Sequence, residues 1–244
     1  METKDVLDLL KDDANYYGDL GQKYLSNSNI EVLLKDPKSF GKPTAKTVEM
    51  LFGNFVHELV FFGASNIPHV EASTRNTKIY KDAYAENGGI LLLQKEVQEG
   101  YSMLDTINSV PELQVLYNDD NQYEIPAIGD ILNSGIEWKG KADIICPERN
   151  QIIDLKTTSN IDSFGSKARL YNYDSQAWIY KQLFDMDVCF LAVEKGTHRI
   201  KWFEVSDETL ERGRDKVIEA EQNYKDFFLH KTQDPNHFVQ YGII

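Results

Sequence analysis

The hydrophobic pattern changes its period near residue 122, and this restricts the fold more than any other feature of the chain. Before that point apolar residues recur at helical spacing. Val48, Leu51, Phe52, Phe55, Val56 and Leu59 mark one buried face of a helix over about 44–62. Residues 76–118 continue in this way, interrupted at Gly88–Gly89 and followed by a turn at 118–121. Nearer the start, Ser28 to Glu31 has capping-box spacing and opens a short helix. That helix must end before Pro37, because the residue preceding a proline is pushed out of helical geometry.

After residue 122 the segments 122–131, 136–146 and 150–156 read as short strands joined by Asn-Ser-Gly and Glu-Arg-Asn turns. A helix over about 169–185, strands at 187–194 and 199–205, and a long helix capped by Ser206 and reaching about Phe228 follow. This order predicts an α/β fold: a mixed central β-sheet flanked by helices, with a helical N-terminal region. No repeat or Pro/Gly/Ser-rich linker divides the chain. One domain over 1–244 is therefore expected, with a helical part at about 1–120 and an α/β core at about 121–244.

Charge narrows the function classes. The formal net charge is -13, from 39 acidic and 26 basic residues, which excludes a protein whose whole surface binds nucleic acid. A local basic groove, or an acidic site for divalent cations, remains open. The acidic start METKDVLDLL has neither the basic n-region nor the apolar core of a secretory signal, and no apolar run is long enough for a membrane helix. Cys146 and Cys189 lie in apolar strand segments without metal-ligand spacing, as buried thiols in a reducing compartment would. A cytoplasmic protein with no membrane partner is expected.

The chemistry is concentrated in 151-QIIDLKTTSN-160. On a strand, alternation turns Asp154 and Lys156 to one face and Leu155 to the other. Asp143, in 139-KGKADIIC-146, precedes an apolar run eleven residues earlier, so adjacent strands can bring Asp143 and Asp154 together. Carboxylates that close repel unless protonated or bridged by a cation, and oxygen ligands suit Mg²⁺ or Mn²⁺ better than zinc. A neighbouring lysine can orient a water or offset charge at a phosphoryl group. Alone, an Asp-x-Lys pair is more often a surface ion pair of little value. His57, in 53-GNFVHELVF-61, lies opposite the apolar stripe of its helix and can meet the sheet edge; alone, a satisfied or exposed helix histidine is the plainer reading. Gln176 and Tyr180, four apart, share a helix face just after the Asp-x-Lys strand, where a tyrosine merely packed on the sheet is the plainer reading.

The order His57, Asp143, Asp154-Leu155-Lys156, Gln176-x-x-x-Tyr180 resembles the PD-(D/E)XK nuclease superfamily, in particular its RecB-motif branch. Within that branch, 140-GKADII-145, 154-DLKTT-158, Phe164, 171-YNYDSQAWIY-180 and 28-SNIEVLLKDPKSF-40 look most like the RecE (exonuclease eight) group of phage recombination exonucleases. The resemblance implies a restriction-endonuclease-like core. It also implies that Asp143 and Asp154 bind metal with the Leu155 carbonyl, that His57 is a further ligand or contact, and that Lys156 positions or activates the water. Gln176 and Tyr180 would orient the lysine or contact the DNA strand, with Thr157 in support. An additional acidic residue is expected before Asp143, with Glu124 preferred to Glu137. Lys139, Lys141, Lys167 and Arg169 are candidate phosphate contacts, each equally readable as a solvated surface charge.

The activity so implied is Mg²⁺-dependent (or Mn²⁺-dependent) exonuclease action on ends of double-stranded DNA, from 5′ to 3′. It would leave tails for a single-strand annealing recombination protein, and the enzyme would be a homo-oligomer: a ring, trimer or tetramer. A single-strand or junction-specific nuclease and a catalytically silent DNA-binding module are the competing readings.

Overall fold

The computed structural model describes residues 3–239; residues 1–2 and 240–244, the extreme ends of the expected 1–244 domain, lie outside the described residues. In chain order the helices before the sheet are α1 (Thr3–Leu10), α2 (Asp13–Tyr17), α3 (Asn27–Lys35) and α4 (Val48–Phe62). Then come a two-residue strand β1 (His69–Val70), α5 (Lys78–Asn87), its partner strand β2 (Leu92–Leu93) and α6 (Gln94–Ser109). The core follows as β3 (Gln122–Gly129), β4 (Trp138–Cys146), β5 (Gln151–Thr158), α7 (Phe164–Leu170), α8 (Tyr173–Phe184), β6 (Asp187–Glu194), β7 (Ile200–Glu204) and α9 (Asp207–Tyr224).

β3 to β7 form one five-stranded sheet in sequence order. Neighbours are antiparallel except β5 and β6, which run parallel because α7 and α8 cross over between them. The mixed sheet flanked by helices is the expected fold class. β4, β5 and β6 are buried almost throughout. At the edge, β3 carries Pro126, a residue that cannot donate to a second ladder and so suits an edge strand.

Two apolar layers hold helices on the two faces. On one face α4 and α6 pack Phe52, Phe55, Val56, Leu59, Met103 and Ile107 on Ile144, Ile153, Leu155 and Leu191. On the other, α3, α8 and α9 pack Ile30, Leu33, Ala177, Ile179, Val217 and Ala220 on Ala142, Ile152 and Phe190. Cys146 and Cys189 are both buried free thiols in these strands.

Several local readings shift by a few residues, each for a physical reason. The cap of α3 is Ser26 and not Ser28: the Ser26 backbone N–H donates to the Asn29 side chain at 2.8 Å. α4 starts only at Val48, where the Thr47 hydroxyl accepts from the Met50 N–H. The interruption at Gly88 is a left-handed helix terminus, φ +70, which glycine adopts without a Cβ clash. The single helix expected over about 169–185 is two helices, broken where Asn172 turns left-handed at φ 59. α9 stops at Tyr224 and continues as a short π-helical turn to Leu229.

Candidate metal and phosphodiester site

The site forms where the β4–β5 ladder ends and the β3–β4 ladder skips one pair. The β4–β5 ladder comprises Ile144 to Cys146 against Ile153 to Gln151 and goes no further towards Asp143. There the Asp143 carboxylate takes the place of a backbone acceptor, receiving the Leu155 N–H at 2.9 Å. On the other side, Tyr123 pairs with Ile144 and Ile125 with Ala142, leaving Glu124 opposite Asp143 at a left-handed φ of 53. A non-glycine residue held there costs about 1 kcal/mol or more, and such strain gathers where side-chain aim matters. From this position Glu124 brings a carboxylate oxygen near Asp143.

His57, Glu124 and Asp143 offer one ligand atom each, all within 4.8 Å of one another. His57 comes from α4. Its Nε2 lies 2.6 Å from the Leu155 carbonyl, and a carbonyl only accepts, so Nε2 carries the hydrogen. The Nδ1 lone pair then faces Asp143 Oδ2 at 3.7 Å. Burial, and next the Lys156 charge, hold the imidazole pKa below its ordinary value, favouring the neutral ring. The expectation that His57 meets the sheet edge is corrected: it reaches β5, the central strand, because the residues of α4 that flank it are buried across the middle of the sheet.

The carboxylates are held uncomfortably. Burial pushes Asp143 up to about 6, against the pull of Lys156, the Leu155 N–H and Lys141. Glu124 rises to about 7 through burial and the Asp143 charge, and Asp154 to about 6 through burial opposed by Lys156. One imidazole nitrogen and two converging carboxylate oxygens make a donor set that fits a divalent cation.

Asp154 and Lys156 share a face of β5, as alternation requires. Asp154 is fully buried, with Oδ1 2.5 Å from Lys156 Nζ and Oδ2 accepting from Gln176 Nε2 at 2.6 Å. Oδ1 is thus paired with the lysine, and Asp154 stands outside the compact cluster of ligand atoms. Burial pulls the Lys156 ammonium down, but Asp154 and Asp143 outweigh it and keep its pKa above the ordinary value. The ring of Tyr173 lies 4.9 Å from the same nitrogen.

Other expected residues are placed differently. The compact donor cluster takes in Asp143 with Glu124 and His57, whereas Asp154 is tied to Lys156 and Gln176. Gln176 holds that aspartate directly, and the lysine only through it. Tyr180 cannot reach a DNA strand: it is buried, its hydroxyl donates to the Lys141 carbonyl at 2.7 Å, and its ring covers Gly140, where a Cβ would sit 2.8 Å away. The Leu155 carbonyl is occupied by His57, which it orients. Glu124, and not the exposed Glu137, joins the cluster. Thr157 follows half-buried on β5.

Lys139 and Lys141 are not phosphate contacts on an open surface. Both are buried under α2: Lys139 donates to the Tyr16 carbonyl, and Lys141 lies 2.5 Å from Asp13 and 3.6 Å from Glu124. Burial lowers the Lys139 pKa to about 8. Lys167 is half-buried and Arg169 exposed on α7. Asp13, Tyr16 and Tyr173 were not foreseen as neighbours of the site. Only the aromatic run at 171–180 held a signal for one of them.

Strands splayed around Asp143, an Asp-x-Lys strand and an oriented histidine define a PD-(D/E)XK-type, nuclease-like domain. The chain belongs to the family described as a PDDEXK-like domain of unknown function (DUF3799), whose profile matches residues 23–237. No curated protein matches it. Among solved structures, a phage related exonuclease from Haemophilus somnus 129PT is 18% identical, over 86% of this chain and 96% of that one, with a TM-score of 0.38. The crystal structure of SSO0001 is 16% identical, over 78% of this chain and 84% of that one, with a TM-score of 0.33. Among the described residues no helix is long and apolar enough to cross a membrane.

Proposed function

We propose that the protein is a divalent-metal-dependent exodeoxyribonuclease that hydrolyses linear double-stranded DNA from its ends, in the 5′ to 3′ direction. The observation that carries the hydrolytic part is the convergence of His57, Glu124 and Asp143 beside the Asp154–Lys156 pair. The end-directed part is supported by the resemblance to the RecE group in the segments around Asp143, Asp154 and Gln176.

His57 Nδ1, Glu124 and Asp143 would hold Mg²⁺ or Mn²⁺, with Asp154 Oδ1 adjoining. When bound, such an ion polarises a phosphate and makes a water more acidic. Lys156 places a positive charge where negative charge grows on the attacked phosphate. Gln176 keeps Asp154 from rotating, and Asp154 in turn fixes the lysine. The Leu155 carbonyl keeps the imidazole in the tautomer that presents Nδ1. Further parts of the proposal are a homo-oligomeric assembly, a single-strand annealing protein as partner and a cytoplasmic location.

The test is digestion of a linear duplex with distinct 5′ and 3′ labels beside a closed circle, in Mg²⁺ or EDTA. Loss of 5′ label from the linear duplex alone, abolished by EDTA and by Lys156→Ala, is the expected result. Cutting of the circle would overturn the requirement for an end, and cleavage of unpaired or branched DNA with the linear duplex left intact would replace this reading with the single-strand or junction-specific one.

A further inference from the structure

The corner between α7 and α8 presents two large apolar side chains to solvent, Leu170 at 59% and Tyr171 at 54% exposure. The corner is held firmly. Asn172 turns left-handed there, and Lys216 donates to both the Asn172 side chain and the Arg169 carbonyl at 2.8 Å. Exposure of Tyr171 is therefore imposed by fixed backbone.

Its ring lies 6.0 Å from that of Tyr173, which lies 4.9 Å from Lys156 Nζ. The exposed ring is thus one aromatic contact away from the lysine of the site. α7 carries Lys167 and Arg169 in its last turn and no acidic residue, in a chain of net charge -13. An exposed ring beside two cations suits a nucleic-acid strand, because every base offers a π-face and every linkage a phosphate.

We propose that Tyr171 is a stacking platform for an unpaired base of the strand that enters the site, with Lys167 and Arg169 contacting the phosphates next to it. This rests on the nuclease reading and adds a specificity: the strand is unpaired at the base that meets Tyr171. A frayed or single-stranded end is then engaged before a blunt one.

The test compares wild type, Tyr171→Ala and Tyr171→Phe for binding to a short single-stranded oligonucleotide in Ca²⁺, and to the same oligonucleotide carrying abasic residues. Stacking predicts ~10-fold weaker binding for the alanine variant on the ordinary oligonucleotide, with phenylalanine close to wild type. On the abasic oligonucleotide all three proteins should bind alike, since removing the base and removing the ring delete the same contact. A 2-aminopurine reporter should be quenched by wild type and phenylalanine only. Equal binding by the alanine variant overturns the proposal, and so does a loss that persists undiminished on abasic DNA. If wild type binds neither the oligonucleotide nor a linear duplex, and cleaves neither in Mg²⁺, the nuclease reading fails as well. If wild type cleaves normally and only the Tyr171 comparison is flat, the stacking platform alone is wrong.

Discussion

Replacing Asp143 with asparagine should abolish activity and yet stabilise the metal-free protein. The carboxylate is buried beside Glu124 and Asp154, and its pKa is raised from 3.8 to about 6. That rise corresponds to ~3 kcal/mol of folding stability withheld at pH 8, at 1.36 kcal/mol per pKa unit. The sign follows from protonation. Between pH 3.8 and about 6 the unfolded chain ionises this group while the folded one resists, so the penalty grows through that window and is complete above it. Asparagine carries no charge, and its carbonyl can still accept the Leu155 N–H. In EDTA at pH 8, urea unfolding should therefore show Asp143→Asn more stable by about 2–3 kcal/mol, or roughly 4–10 °C in Tm. At pH 4 the difference should nearly vanish. Adding Mg²⁺ should raise the stability of wild type only, because only wild type gains ligand binding in the folded state. An Asp143→Asn protein less stable than wild type at pH 8 in EDTA would refute the reasoning and make Asp143 a structural acceptor first.

Lys156→Ala should lower single-turnover cleavage by about 100-fold or more while the Mg²⁺ midpoint moves little, since the lysine acts on the phosphate and not on the ion. Equal loss of both in a metal titration would place Lys156 within the ion network. His57→Ala should shift the Mg²⁺ or Mn²⁺ midpoint of activity upward by roughly 10–100-fold; an unchanged titration would leave the histidine only its bond to the Leu155 carbonyl. Away from the site, hydrogen bonds from Arg199, Thr197 and the Ile161 N–H hold Glu194 down at about 2. Its contribution is present above the unfolded value near 4.5 and lost as pH falls towards 2. Circular dichroism should thus show Glu194→Gln less stable than wild type at pH 7 and no different near pH 2.

What the sequence made legible follows from which interactions are local. Strand alternation placed Asp154 and Lys156 on one face because it depends only on the backbone. β6 coincides with the apolar run at 187–194 because it is buried on both faces. Glu124 was preferred to Glu137 and does join the cluster, but the reason was not legible. It depends on a left-handed residue in β3, a conformation that neither glutamate signals locally. Lys139 and Lys141 were misplaced because their partners, Tyr16 and Asp13, lie more than a hundred residues away in a helix without a distinctive pattern. A separation of 98 residues likewise hid the closeness of His57 to the central strand, which only the packing of α4 across the sheet reveals.

The central claim is that His57, Glu124 and Asp143 form a divalent-cation site. The most direct measurement is an anomalous-scattering map from crystals of the full chain soaked in Mn²⁺. The account predicts a peak roughly 2.0–2.3 Å from His57 Nδ1 and from an oxygen of both Glu124 and Asp143, lost in Asp143→Asn crystals. Mn²⁺ that binds elsewhere, or leaves the three side chains where they stand with no peak between them, would contradict it.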